Sequence, residues 1–263
     1  MSASPRIHPT AIVDAGAELH ETVEVGPYSI IGPQVTIGAG TWIGPHVVLR
    51  GPMTIGRDNK IFQFASLGEI SQDMTAKPDD PTRVEIGDGN TIREYVTIQR
   101  GTLKEAAALT RIGDRNWIMN AVHVGHDSIV GNHNILANNT SLAGHVLIGD
   151  YVGCGGYTLI HQYCQIGSHV FTGGGSVITR DVAPFVIVQG HPAEARGINS
   201  EGLRRRGFAA DDIAKIKDAY KLIYLSGRKM DEVKQELATM AADSQHVAYM
   251  LKFIEGSKRA LQR

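Results

Sequence analysis

The chain has 263 residues, a formal net charge of −1, 20% charged residues, 6% aromatics and 30 glycines. No lysine–arginine block dominates, which argues against a polyanion binder, and no apolar run reaches the ~18 residues of a membrane span. The opening MSASPRIHPTAIVDAG has no basic stretch followed by a long apolar run, and Cys154 and Cys164 lie outside any CxxC or zinc spacing, so reduced thiols in a cytoplasmic protein are expected.

From Arg6 the sequence divides into hexads: RIHPTA IVDAGA ELHETV EVGPYS IIGPQV TIGAGT WIGPHV. The second position of each is aliphatic, from Ile7 through Ile31, Ile43 and Ile61 to Leu67. A polar insertion, residues 68–83, breaks the register, which resumes at Ile86, Ile92 and Ile98. A second insertion, 100–111, comes next, and the ladder then runs unbroken from Ile112 to Ile178. Only Cys154 and Thr172 depart from Ile, Leu or Val at this position. The next residue is often glycine, as at Gly26, Gly38, Gly113 and Gly131.

A period of six suits neither an amphipathic helix nor a free alternating strand. It suits a parallel β-helix, in which each corner turns one aliphatic side chain inward and the glycine beside it supplies backbone angles denied to other residues. Three hexads make a triangular coil, and each coil buries its face only by stacking on its neighbours. An aliphatic side chain so buried contributes ~1.5–3 kcal/mol gross, so a long ladder makes a core with few aromatics. Both insertions leave the coil as loops, natural places to line a site.

Beyond Asn199 the period changes. Ile213, Ile216, Tyr220 and Ile223 have helical spacing, with Gly227 as a C-cap. KMDEVKQELATMAAD and SQHVAYMLKFIEGSKRA give two more helices. The expected organisation is a β-helix over 1–198, carrying the loops 68–83 and 100–111, and a helical domain over 199–263. From Ser200 onward there are 13 Lys/Arg against 9 Asp/Glu, net +4, so the helical part is the basic part.

Within the ladder, NAVHVGHDSIVG places His123, His126 and Asp127 in an aliphatic setting. His126 lies two residues past the inward Val124. Counting by coils of eighteen puts His126, Gly144 and Gln162 in one exterior column, and Asp127, His145 and Tyr163 in the next. His161, Asn138 and Asn139 lie close by. Polar side chains also stack on solenoid exteriors without a function. The chemistry on offer is base catalysis: an imidazole titrates at ~6.5 and can take a proton at neutral pH. A carboxylate orients it, and a glycine N–H one coil away can meet an oxyanion. There is no GxSxG, which favours direct transfer over a covalent enzyme intermediate.

The hexads, the segment NAVHVGHDSIVGNHNILANNTSLAGHVLIGDYV, then LIHQYCQIG and NSEGLRRRGF, resemble the acyl-[acyl-carrier-protein]–UDP-N-acetylglucosamine O-acyltransferase family over essentially the whole chain. The resemblance implies a left-handed parallel β-helix, a homotrimer with sites between subunits, and neither cofactor nor metal. It implies an R-3-hydroxyacyl donor on acyl carrier protein and UDP-N-acetylglucosamine as acceptor, in the first step of lipid A synthesis. By position, His126 resembles the general base, Asp127 its orienting partner and Gly144 the oxyanion donor. His123, His145, His161 and Gln162 resemble substrate contacts, Gln72 and Asp73 the sugar-binding pair, and Asn199, Glu201, Arg205 and Arg206 the nucleotide-binding group. Gly174 resembles the position that limits acyl length, and its lack of a side chain implies a long chain. The net-positive tail is the expected dock for the acidic carrier.

Two departures stand out. The family pattern VTIHRGT reads VTIQRGT, with Gln99 for histidine, and the first insertion leaves the register of Lys77 open. Three relatives in fold compete: an N-acyltransferase of the same pathway, which carries an extra N-terminal domain; a zinc enzyme of the γ-carbonic anhydrase type; and an acetyl-CoA-dependent acetyltransferase. A non-catalytic scaffold is a fourth alternative.

Overall fold

The computed structural model describes residues 5–262. Its strands are mostly two residues long and form three parallel sheets, one for each face of a triangular coil. Pairing joins equivalent residues of successive coils: His123 with Ser141, Ser141 with Leu159, Leu159 with Val177. The chain is thus a left-handed parallel β-helix with a C-terminal helical region. Ile43, Ile61, Ile92, Ile118, Val124 and Leu136 are all completely buried. Ile7, at the uncovered end of the stack, is 41% exposed.

The corners differ from the sequence expectation in one respect. Apart from Gly68, the glycines beside the inward aliphatics do not adopt the left-handed region; at most corners the third residue past the aliphatic does. Tyr28, His46, Asp127, His145, Tyr163 and His169 all have φ between 55° and 67°. Gly38 is required for a different reason. A Cβ there would sit 2.7 Å from the carbonyl carbon and oxygen of Gly56, in the next coil. The close approach of stacked backbones, rather than an unusual backbone angle, selects glycine at that position.

A left-handed conformation costs a non-glycine residue roughly 1–2 kcal/mol. Ring stacking along the edges offsets part of this. His133, Tyr151, His169 and Phe185 stack with centroids 4.8, 5.0 and 5.5 Å apart. On another edge Tyr28, His46, Phe64 and Tyr95 stack at 5.1, 5.4 and 5.2 Å. The residue just before the left-handed one has an N–H that the ladder does not use, so Pro27, Pro33 and Pro45 are tolerated there. At the edge of Asp88 and Asp114 a carboxylate from the next coil takes that N–H, as Asp88 Oδ1 does from Arg57 N–H at 2.7 Å and Asp114 Oδ1 from Asp88 N–H at 2.8 Å.

The first excursion joins strands Ser66–Glu69 and Arg83–Ile86; the second joins Thr97–Gln99 and Leu109–Ile112. The β-helix ends in an antiparallel hairpin, Val186–Gly190 with Ala193–Ile198. Beyond the hairpin lie four helices: α1 (Ser200–Arg205), α2 (Ala210–Leu225), α3 (Met230–Ala241) and α4 (Gln245–Gly256). The spacing across EGLRRRGF to Leu225 predicts one helix, but Gly207, at φ +79°, breaks it into two. Gly227, at φ +70°, comes directly after the α2 C-cap Ser226. The last helix stops at Gly256, four residues before Ala260. From Ser257 the chain continues as an extended strap, tied to the coil at the buried Asp181 by Gln262 N–H donating to Asp181 O at 2.7 Å. Among the described residues no helix is long and apolar enough to cross a membrane.

Cys154 and Cys164 are free and buried, and burial pushes their thiols up to about 12 and about 11. His169 sits where the ring stack meets Phe208 and α4. Burial, with Arg206 and then His246 nearby, pushes it down to about 4.

These contacts lead to two expected outcomes. Gly38→Ala should lower folding stability by about 1–3 kcal/mol in denaturant titration, because backbone cannot yield as a side-chain tip does. His169 is neutral in the fold, and the unfolded chain protonates it near pH 6.5. Its contribution to stability is therefore complete above that pH and is lost as pH falls through about 4. His169→Phe keeps the stack and should flatten the pH dependence of thermal melting between these limits; an unaltered slope would refute the assignment.

Candidate active site

His126 and Asp127 lie on the corner between strands His123–Val124 and Ile129–Val130. Asp127 is one of the left-handed corner residues, at φ 59°. The column expected on the open exterior is in fact covered by the second excursion, which leaves Asp127 5% and His145 6% exposed. The cover is specific. Thr102 donates its N–H to Asp127 Oδ1 at 2.8 Å and its hydroxyl to Oδ2 at 2.6 Å. Asp127 N–H in turn donates to Thr110 Oγ1 at 2.8 Å.

Burial acts to raise the Asp127 carboxyl. The hydrogen bonds from His126 and Thr102, with His145 nearby, outweigh it and hold the group below its ordinary range. Asp127 is therefore a carboxylate at neutral pH and can only accept. It follows that His126 Nδ1, 2.8 Å from Asp127 Oδ2, carries a proton and donates. The Nε2 lone pair of a neutral His126 is left free to act as a base.

Gly144 lies one coil on, beneath the His126 ring. A methyl group there would sit 2.6 Å from His126 Nε2, so the site requires glycine. Gly144 N–H occupies the position whose hydrogen the ladder leaves unused, and among the described residues it has no acceptor. A buried N–H without a partner is costly and is ready for an acceptor supplied by a ligand. His126 Nε2 and the Gly144 N–H thus stand side by side.

The neighbours complete the wall. The His145 ring meets His126 edge-on at 5.0 Å and stacks on Tyr163 at 4.4 Å. Burial holds His145 below the usual histidine range, although the Asp127 carboxylate acts the other way. Burial, then the neighbouring His126, lowers His123, whose Nδ1 lies 2.8 Å from Thr97 Oγ1. His161 Nδ1 donates to the Gln162 carbonyl at 3.1 Å. A cleft of about 400 Å³ opens beside this group, bordered by Asp127, His145, Tyr163 and Gln165, with Ile129 and Leu147 as its apolar part and Lys258 and Arg259 on the far side.

His126, Asp127 and His145 offer three potential metal-ligand atoms within 4.8 Å of one another. Both Asp127 oxygens already accept from Thr102, and Oδ2 also faces His126, so the carboxylate is committed to orientation.

The first excursion brings Gln72 and Asp73 to the same edge. Lys104 bonds Asp73 and, through its N–H, Thr102 Oγ1 at 3.3 Å, so the two loops meet over Asp127. Hydrogen bonds from Lys104 and then Thr75 hold Asp73 well below the usual carboxylate range. Gln99, buried, accepts the Gln72 N–H on its side-chain oxygen at 3.2 Å, a role that needs no titratable ring. Lys77 donates its backbone N–H to Asp80 at 2.9 Å, and none of the bonds found among the described residues uses its side chain.

The remaining expected residues are elsewhere in this chain. Asn199 caps α1 through Gly202 N–H at 3.1 Å and donates its amide to His169 O at 3.0 Å. Glu201 pairs with Arg205 at 3.0 Å, and Arg206 lies over the Tyr151 ring at 4.9 Å. Tyr151 and His169 belong to a different edge of the prism from His126. Gly174 lies on the third edge, between strands Phe171–Thr172 and Val177–Ile178. Thr102 is absent from the sequence-based expectation: it lies in an aperiodic excursion that offers no register from which to place it.

Known proteins share this architecture. A family model described as UDP N-acetylglucosamine O-acyltransferase, domain 2, matches residues 181–262, and a bacterial transferase hexapeptide model matches 109–144. The acyl-[acyl-carrier-protein]–UDP-N-acetylglucosamine O-acyltransferase of Stutzerimonas stutzeri is 51% identical over 257 residues, 98% of this chain and 99% of that protein. The solved UDP-N-acetylglucosamine acyltransferase of Francisella novicida superposes with a TM-score of 0.96 at 38% identity, covering 98% of this chain and 94% of its own. The UDP-N-acetylglucosamine O-acyltransferase of Moraxella catarrhalis gives 0.95 at 43%, covering 98% and 99%. With identity of this degree running from the first coils through the helical end, the chain belongs to the acyl-[acyl-carrier-protein]–UDP-N-acetylglucosamine O-acyltransferase family.

Proposed function

We propose that His126 is the general base in the transfer of an R-3-hydroxyacyl group from acyl carrier protein to the glucosamine 3-hydroxyl of UDP-N-acetylglucosamine, the first step of lipid A biosynthesis. Family membership supports the overall reaction. The assignment of His126 rests on its free Nε2, set by the bond from Nδ1 to the buried Asp127 carboxylate.

In the proposed sequence, Nε2 takes the proton of the sugar hydroxyl as its oxygen attacks the thioester carbonyl. The carbonyl oxygen becomes an oxyanion and accepts from Gly144 N–H. Asp127 stabilises the imidazolium that forms. Collapse restores the carbonyl and breaks the C–S bond, and His126 returns the proton to the departing sulfur. The products are the O-acylated sugar nucleotide and the free carrier thiol. Such a reaction belongs in the cytoplasm, where a carrier thioester and a sugar nucleotide are both at hand.

A homotrimer is part of the proposal. Asn199, Glu201, Arg205 and Arg206 occupy one edge of the prism and His126 another, so one chain does not bring them together. Neighbouring copies can set the second edge of one against the first edge of the next. The planar forks of Arg205 and Arg206 suit the nucleotide phosphates.

His126→Ala should reduce turnover by roughly 10²–10⁴-fold while the purified protein keeps its fold and assembly state. Asp127→Asn should cost less, because Thr102 can still hold the side chain. Near-normal turnover in a folded His126→Ala protein would end the assignment.

Gly174 is proposed as the limit on acyl length. An added Cβ there meets only Gly156 O, at 3.5 Å, so a larger side chain fits and projects outward. Mass spectrometry of products made from UDP-N-acetylglucosamine and a series of carrier thioesters should show a long 3-hydroxyacyl ester, near 3-hydroxymyristoyl. Gly174→Met should shift the preference to shorter donors. Each methylene excluded from burial is worth ~0.8 kcal/mol, so a change of two to four carbons gives roughly ten- to several-hundred-fold. An unchanged product ratio would place the limit elsewhere.

A further inference from the structure

The two excursions are clasped together beside the catalytic corner. Lys104, in the second, reaches across to the Asp73 carboxylate in the first. Its footing is held from both sides. On one side the Lys104 N–H donates to Thr102 Oγ1 at 3.3 Å, and that hydroxyl donates to Asp127 Oδ2 at 2.6 Å. On the other side Glu105 Oε1 lies 3.1 Å from Nδ1 of His145, the ring that meets His126 edge-on. A continuous series of bonds therefore runs from Asp73 through Lys104, Thr102 and Asp127 to His126.

The pair differs from its counterparts on the surface. Lys215 and Asp211 share one helix, and Arg111 and Glu85 sit on adjacent strands, so backbone geometry already fixes their separation. Asp73 and Lys104 belong to two aperiodic loops, and from the second excursion only Lys104 reaches Asp73 among the described residues. An exposed ion pair contributes little to stability; a pair across two loops fixes one loop against the other. The lone pairs of Asp73 show what is fixed. A carboxylate oxygen offers about two acceptor sites. Oδ1 takes the Thr75 N–H at 2.9 Å and the Thr75 hydroxyl at 2.6 Å, whereas Oδ2 takes Lys104 alone. One site on Oδ2 is left open, and the direction of the ammonium decides where it points. The same bonds hold Asp73 well below the usual carboxylate range, so it is an acceptor at neutral pH.

We propose that Lys104 is a positioning residue for the sugar acceptor: it turns the open side of Asp73 Oδ2 toward the pyranose whose hydroxyl meets His126. The proposal rests on the acyltransferase reading above, since it concerns the acceptor of that reaction. A pyranose that presents one hydroxyl to Nε2 has its other hydroxyls within a ring's width, and each needs a partner in place of water. Lys104 acts through Asp73 and does not itself touch the substrate. The bonds from Thr102 to Asp127 use none of the Lys104 side chain, so His126 keeps its orientation when that side chain is changed.

The test compares the full chain with Lys104→Gln, Lys104→Arg, Asp73→Asn and the double variant Lys104→Gln/Asp73→Asn, with a carrier thioester as donor. Lys104→Gln should raise the KM for UDP-N-acetylglucosamine roughly three- to tenfold, with kcat and the donor KM within about twofold of wild type. Lys104→Arg keeps the cation and should recover most of the loss. In the double variant the loss should equal that of Asp73→Asn alone. Losses that multiply overturn the proposal, because Lys104 then meets the substrate itself. An unchanged acceptor KM in Lys104→Gln overturns it too, as does an equal defect toward the donor, the mark of general disruption. Saturation-transfer NMR titration needs no turnover. Lys104→Gln should weaken binding of UDP-N-acetylglucosamine and leave that of UDP unaltered; equal weakening of both, or of neither, overturns the proposal. If the wild type binds the sugar nucleotide but transfers no acyl group to it, the acyltransferase reading fails, while the titration still decides the clasp.

Discussion

The molecule depends on exact stacking of corners. A coil has no interior of its own; it gains one when the coil above lays each strand over the equivalent strand below. Every other feature is subordinate to that register. Glycine at Gly38 allows backbones to approach, left-handed residues such as Tyr28 and His46 turn the chain, and proline at Pro27 or Pro45 occupies the position whose hydrogen the ladder does not use. Inward aliphatics supply the burial, and the outward positions remain available for chemistry.

The site uses corner positions that serve geometry elsewhere. The unused N–H that tolerates proline at Pro33 becomes an available donor at Gly144. The left-handed residue, an aromatic in much of the stack, becomes the orienting carboxylate at Asp127. What converts an exposed corner into a low-dielectric site is the second excursion, whose Thr102 commits both Asp127 oxygens. The excursion interrupts the hexads and so takes no part in the core, leaving its residues free to cover the corner.

The ladder is legible in the sequence because six-residue periodicity admits so few structures. His126, Asp127, Gly144 and His145 are legible as stacked neighbours too, since counting by eighteen is counting by coils. The reason for glycine is not, because a sequence does not distinguish a backbone angle from a backbone contact. Thr102 is not legible at all, as aperiodic loops carry no register. Asn199 is recognisable as a helix cap from the residues on its C-terminal side. Lys258 and Arg259 are hidden at the end of an apparent helix; Gly256 ahead of them is the signal that the helix stops and a strap begins.

Because corners repeat at a fixed interval, the edge carrying His126, Gly144 and Gln162 is a scale graduated in coils. Distance along it is changed by whole units, by gaining or losing a coil, and hardly by anything smaller. Inserting eighteen residues after the Gly144 coil would preserve the stacking pattern yet carry the strap and its cations farther from His126 by about 4.8 Å. Substitutions can retune the width of such a cleft, but its length is quantised. Lineages of this architecture therefore face a discontinuous choice in the reach of the substrates they accept, even while their surface chemistry drifts smoothly.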